Sequence, residues 1–263
     1  MRVRIILAVA MATLATAFFI PSSASAGTGA IHPGVMTHTA GAQCTANFIF
    51  RDSGNTYIGQ AAHCSGTGSA TATNGCTSGS LPLGTPVTVD GATKPGTLAY
   101  SSWLTMQSLH EKDANACAYN DIALVKLDPA DVANVAPSVP FFGGPTGVAS
   151  STQAAGAKVY SYGNSELRAG LSPLSPKYGL VVQDSAGGWS HNVYTASPGI
   201  PGDSGSAFLD SSGKALGVLS TLEFAPLAGS NNVSDLSHML AYAQAHGLAG
   251  LQLVTGGAFS SAI

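Results

Sequence analysis

The chain has 263 residues, enough for one large domain or two small fused ones, and a net charge of −3 from 10 basic and 13 acidic side chains. That balance offers no electrostatic basis for holding nucleic acid or an anionic membrane. Charged residues are only 9% of the chain against 32 glycines and 14 prolines, a composition that suits many short strands and turns and argues against long solvent-facing helices.

In chain order, residues 1–26 read as a secretory signal peptide. Arg2 and Arg4 open it, residues 5–20 form an uncharged apolar run, Pro21 breaks it, and Ala24-Ser25-Ala26 is a small-residue cleavage site. The run is short of a spanning helix, so cleavage before Gly27, secretion and no stable membrane association are expected over a retained anchor. Cys44, Cys64, Cys76 and Cys117 are an even set, which in an exported chain argues for two disulfides among three possible connectivities. The adjacent His63 and Cys64 cannot both turn to one ion without strain, so neither a metal nor another cofactor is expected.

After a leader over residues 27–43, residues 44–60 read as a hairpin. Phe48 and Phe50 alternate with smaller neighbours, Arg51-Asp52-Ser53-Gly54-Asn55 has turn chemistry, and Thr56-Tyr57-Ile58 is extended again. Residues 65–80 are nearly all small and polar and read as a surface loop tied by Cys76. Short strands are expected over 85–89 and 96–100. A polar segment carrying His110 and Cys117 then leads to Asp121, at the mouth of the apolar strand Ile122-Ala123-Leu124-Val125. Residues 137–147, rich in Pro and Gly, read as a linker between an N-terminal half, 27–142, and a C-terminal half, 143–263. The second half repeats the all-β pattern, with strands over 157–162, 179–183, 191–195 and 207–209 and a hairpin partner over 215–221. No helix is expected before the end of the chain, where Asn232 would cap, Asp235 would sit in the first turn, and Leu236, Leu240 and Ala243 share one face.

The stretch Pro201-Gly202-Asp203-Ser204-Gly205-Ser206 sets one serine in a tight glycine-flanked turn ahead of an apolar strand. A serine hydroxyl attacks a carbonyl at neutral pH only if a base takes its proton, a third group orients the base, and N–H donors meet the oxyanion. Taken singly, that turn, His63 and Asp121 each have an ordinary structural explanation. Together, Gly59-Gln60-Ala61-Ala62-His63-Cys64, Asn120-Asp121-Ile122-Ala123-Leu124 and Gly202-Asp203-Ser204-Gly205-Ser206 resemble the histidine, aspartate and serine boxes of the trypsin/chymotrypsin-like serine peptidases. They also stand in that family's order.

The resemblance implies two antiparallel β-barrels of the chymotrypsin type, with the active site in the cleft between them and a C-terminal α-helix. It implies Ser204 as nucleophile, His63 as general base and Asp121 as its buried partner, with the Gly202 and Ser204 amides as the oxyanion hole. It also implies Cys44 paired with Cys64 and, with it, Cys76 with Cys117. Ser220, Thr221 and Leu222 fall where the family binds substrate backbone, and Leu222 stands where glycine is usual. Pro198 falls at the pocket base where trypsins carry an acid, so Arg or Lys specificity is not expected. No activating N-terminal motif precedes the fold, so Asp203 is expected to find an internal partner. A secreted, monomeric peptidase acting on peptides or proteins is the reading; a binding or adhesion protein with an occluded pocket, or a small-ester hydrolase, are the alternatives.

Overall fold

The structure is a computed structural model, described here for residues 29–69, 71–223 and 228–261; the expected signal peptide lies outside the described residues. Seven strands precede the 137–147 segment: β1 Met36–Thr39, β2 Ala42–Thr45, β3 Ile49–Arg51, β4 Thr56–Gln60, β5 Pro86–Val89, β6 Gly96–Ser101 and β7 Ala123–Lys126. Seven follow it: β8 Lys158–Tyr162, β9 Pro176–Ser185, β10 Ser190–Thr195, β11 Ala207–Leu209, β12 Ala215–Glu223, β13 Ser230–Asp235 and β14 Gln252–Leu253. All pairings between these strands are antiparallel.

Strands β8 to β13 form a closed barrel in the order β10-β13-β12-β11-β8-β9. Alternation drives it: Val159, Val181, Val193, Phe208, Leu216 and Val233 point inward and are buried in one core. The first half is an eight-stranded sheet in the order β14-β3-β4-β7-β6-β5-β1-β2, whose end strand β2 leads along the chain into β3 near the other end. Strands β2 and β3 are two halves of one extended run. Its first half pairs with β1 and its second with β4. Ala46 N–H donates to Val35 C=O at 2.8 Å and Asn47 N–H to Gly59 C=O at 2.7 Å, bridging the two halves. Ile49, Ile58, Val87, Leu98 and Val125 fill the enclosed core. The C-terminal strand β14 pairs with β3, so the end of the chain returns to the first sheet.

Helices depart from the sequence expectation. Two short ones, α1 (Ser102–Ser108) and α2 (Ala114–Tyr119), occupy the segment read as irregular and polar. Helices this short are not stable alone. Burial of Trp103 and Met106 in the first core holds α1, while the Asp113 cap and the Cys76–Cys117 disulfide hold α2. At the C-terminal end, α3 (Leu236–Ala245) begins later than expected. Asp235 is its N-cap and accepts from His238 N–H, whereas Asn232 is a paired residue of β13 opposite Asn192. The run Ser230–Asp235 is buried throughout, and strand pairing there overrides the capping propensity of asparagine.

Both halves share a third core, in which Phe48, Tyr57 and Leu124 of the first meet Val218, Leu236 and Met239 of the second. That seam places the 3-10 turn after β4, the mouth of β7 and the turn before β11 on one side of the molecule.

Candidate active site

His63 lies on the 3-10 turn Ala62–Ser65, anchored by a disulfide from Cys64 to Cys44 of β2. The two sulfurs are consumed in that bond, so the Cys44–His63–Cys64 group has no thiolate to offer a metal. Asp121, between α2 and β7, is buried and aims both oxygens at the histidine. Its Oδ1 accepts from His63 N–H at 2.9 Å, and its Oδ2 lies 2.7 Å from His63 Nδ1. Ser220 Oγ of β12 donates to the same Oδ2 at 2.6 Å. Burial works against charge on Asp121, but the imidazole and these donors hold its carboxyl below the ordinary range. An ionised carboxylate only accepts, so Nδ1 carries the proton and Nε2 of the neutral ring keeps a lone pair.

Ser204 sits between Gly202 (φ +94°) and Gly205 (φ +87°), both in the left-handed region that side chains disfavour. A Cβ on Gly202 would stand 2.2 Å from Gln43 Oε1, and one on Gly205 2.6 Å from Thr45 C=O. Asp203 N–H donates to Ile200 C=O at 2.9 Å, closing a turn with Pro201 second and Gly202 third. Among the described residues the Gly202 and Ser204 amides donate to no protein acceptor, so two N–H groups flank the serine unspent. His63 and Ser204 line one cleft of about 640 Å³. Their mutual hydrogen bond is not made; it is the one link of the constellation left open, and such contacts often tighten only with substrate in place.

Asp203, fully buried, has two cationic partners that the sequence reading did not single out. Arg168 forks onto it at 2.9 and 2.6 Å, and Lys177 Nζ lies 3.0 Å from Oδ2. A signal for them existed: a buried acid needs a cation, and the second half holds only Lys158, Arg168, Lys177 and Lys214. Burial lowers the Lys177 pKa, against the pull of Asp203. Lys177 also donates to the carbonyls of Ser197 and Pro198 at 3.1 and 3.2 Å.

That contact relocates one expected residue. Pro198 is exposed and outside the cleft wall, because its carbonyl turns in to the buried cations and its ring is left facing solvent. The wall begins at Gly199 and Ile200 and continues through Leu219, Ser220, Thr221, Leu222 and Glu223. Buried Asn231 braces it, accepting from Gly199 N–H at 2.8 Å and donating to Thr221 C=O at 3.3 Å. Neither Asn231 nor Gln43 stood out in the sequence, since each acts on backbone far away along the chain.

A closed barrel and a second curled sheet, with His63 and Ser204 lining one cleft, are the architecture of the chymotrypsin fold. Solved structures of that fold superpose over most of the chain. Thermobifida fusca Protease A matches at 20% identity with a TM-score of 0.54, over 86% of this chain and 99% of that one. Nocardiopsis protease matches at 17% and 0.51, over 85% and 98%. A glutamic-acid-specific serine protease that uses a histidine triad in substrate binding matches at 18% and 0.53, over 85% and 100%. No family model and no curated protein sequence matches the chain. The chain thus has the fold of the bacterial chymotrypsin-like serine proteases.

Proposed function

We propose that the protein is a secreted serine endopeptidase working through an acyl-enzyme. The observation that carries this reading is the Asp121-oriented His63, with its Nε2 free to act as base, in the same cleft as Ser204 and its two unspent amides. Ser204 Oγ attacks the scissile carbonyl as His63 Nε2 takes its proton. The Gly202 and Ser204 N–H groups receive the oxyanion, and His63 returns the proton to the leaving amine. A water activated by the same histidine then releases the acid and frees the serine. Asp203, held by Arg168 and Lys177, keeps the turn in shape without a cleaved N-terminus.

A small or medium apolar side chain is the proposed preference over Arg or Lys: Ile200, Leu219 and Leu222 offer apolar surface, and the one acid in this wall, Glu223, already accepts from the Thr221 hydroxyl. Export is supported by the apolar leader of residues 1–26 and by the two disulfides, which persist in oxidising surroundings. Among the described residues no helix is long and apolar enough to cross a membrane.

A fluorophosphonate probe tests the chemistry directly. Wild type should become covalently labelled and Ser204→Ala should not. Absence of label from both proteins would overturn the hydrolase reading. With labelling established, a peptide library separates peptide from ester hydrolysis and reports the preferred side chain.

A further inference from the structure

The segment Ser165–Arg168 grips the Ser204 turn from outside the cleft. Ser165 Oγ donates to Pro201 C=O at 2.5 Å and accepts from Leu167 N–H at 3.1 Å, capping the 3-10 turn Glu166–Arg168. A hydroxyl has one proton; with a lone pair spent on the cap, that proton is committed to Pro201. From the same turn Arg168 forks onto Asp203. Glu166 N–H donates to Gln43 Oε1 at 3.2 Å, while Gln43 Nε2 and Thr45 Oγ1 donate to Gly202 C=O at 3.1 and 2.8 Å.

The Pro201–Gly202 peptide is the element this grip controls. A trans peptide is planar, with its C=O and N–H pointing in opposite directions. Glycine at the third position of the turn accepts either orientation of that peptide, so the turn alone does not choose between them. Pro201 and Gly202 line the cleft, so a flip of their shared peptide exchanges which of the two groups, the Gly202 N–H or the Pro201 oxygen, can face it. With the oxygen held on Ser165, the N–H is aimed away from the Ser165 segment.

We infer that Ser165 is a positioning residue for the oxyanion site, fixing the Pro201–Gly202 peptide so that the Gly202 N–H faces the reacting carbonyl oxygen. The inference rests on the hydrolase reading above. Ser165 touches no reacting atom and acts only through Pro201.

The test compares wild type with Ser165→Ala and Ser165→Thr, the latter keeping a hydroxyl and a capping oxygen. Removing an oxyanion donor outright costs roughly 10²- to 10³-fold in turnover. Alanine lets the flipped peptide predominate, with the competent orientation reduced to about 1–10%, so kcat should fall about 10- to 100-fold with KM little changed, and threonine should restore most of it. A peptide aldehyde adds Ser204 Oγ to its carbonyl carbon as the hydroxyl proton passes to His63, leaving an oxyanion. Its affinity for the alanine variant should fall by the same factor, while that of the corresponding peptide alcohol, which has no carbonyl and forms no oxyanion, stays level. Unchanged kcat, or equal loss of aldehyde and alcohol affinity, would overturn the positioning role.

The peptide's orientation is also read without turnover, from the Pro201 carbonyl carbon resonance of labelled protein. It should move upfield in the alanine variant and not in the threonine variant. If wild type neither labels nor hydrolyses, the hydrolase reading falls on that result. The grip itself is then decided by the resonance: a shift confined to alanine supports it, and no shift overturns it.

Discussion

Burial of the His63 ring disfavours its charged form, yet the Asp121 carboxylate, by charge and through the Nδ1 hydrogen bond, holds its pKa above the ordinary imidazole value. In the proposed peptidase His63 serves as base only when neutral, so kcat/KM should fall as pH drops through that raised value. Asp121→Asn removes the charge and the strict acceptor; kcat should drop on the order of 10⁴-fold and the acid limb should move to lower pH. The pH profiles of the two proteins check this, and an acid limb that stays in place would assign it to a group other than His63. His63, Asp121 and Ser204 were legible in the sequence because each sits in a short run whose neighbours also have to be what they are: two alanines and a cystine beside the histidine, glycines around the serine. Ser165, Gln43, Arg168 and Lys177 were not legible. Ser165 meets Pro201 across 36 residues and Gln43 meets Gly202 across 159, and nothing local marks either side chain for that contact.

Strands were readable because alternation is written within a few residues, as in Val87 and Val89 of β5, both buried between exposed neighbours. The short helices were not, since tertiary burial of Trp103 and a disulfide hold them rather than intrinsic propensity. The start of α3 was misplaced for a related reason: a buried ionic group fixes it. His191 of β10 is fully buried, with Nδ1 2.7 Å from Asp184 Oδ1 of β9 and Nε2 3.1 Å from Asp235 Oδ2; Asp235 Oδ1 accepts from His238 N–H at 2.9 Å. Burial pulls the His191 pKa down, but the hydrogen bonds and charges of the two carboxylates win and raise it; burial pushes Asp235 up, and its donors win and lower it. The stabilisation from a charged His191 is fully present below the ordinary imidazole pKa of about 6.5 and is lost as pH rises through the raised folded value. That from Asp235 is present above the ordinary carboxylate range and is lost as pH falls through its lowered value. His191→Gln, which removes the cation from between two carboxylates, should therefore destabilise the fold by about 3–5 kcal/mol between those limits. The gap in unfolding free energy between wild type and variant should narrow on the alkaline side. Denaturant unfolding across pH measures it, and a gap independent of pH would mean that His191 is neutral in the fold.

At the scale of the molecule, the two halves build the site jointly. Thr45 N–H of the first half donates to Ser204 C=O at 2.8 Å, and Ser220 of the second donates to Asp121, so the cleft depends on how the halves are seated. Both disulfides lie in the first half, but they stand in different relations to this seam. Cys76–Cys117 joins the 65–80 loop, part of which lines the cleft, to α2 across 41 residues, and neither cysteine adjoins His63 or Ser204 in the chain. Cys44–Cys64 joins β2 to the His63 turn across 20 residues, and Cys44 lies between Gln43 and Thr45, the two side chains that hold the Gly202 carbonyl. In the chain-entropy account the longer loop contributes about 4 kcal/mol and the shorter about 3 kcal/mol. Stability and activity should therefore separate. Replacing Cys76 and Cys117 together by alanine should lower the unfolding free energy by about 4 kcal/mol and reduce kcat/KM of the folded protein only through the loosened 65–80 loop, leaving His63 and Ser204 in place. Replacing Cys44 and Cys64 should cost less stability but more activity, because the His63 turn and the Gln43–Thr45 segment lose their common anchor. Urea unfolding alongside kcat/KM, measured below the unfolding transition, distinguishes the two. Equal activity losses in both double variants would mean that the first half responds as one rigid body and that Cys44–Cys64 has no particular part in holding the site.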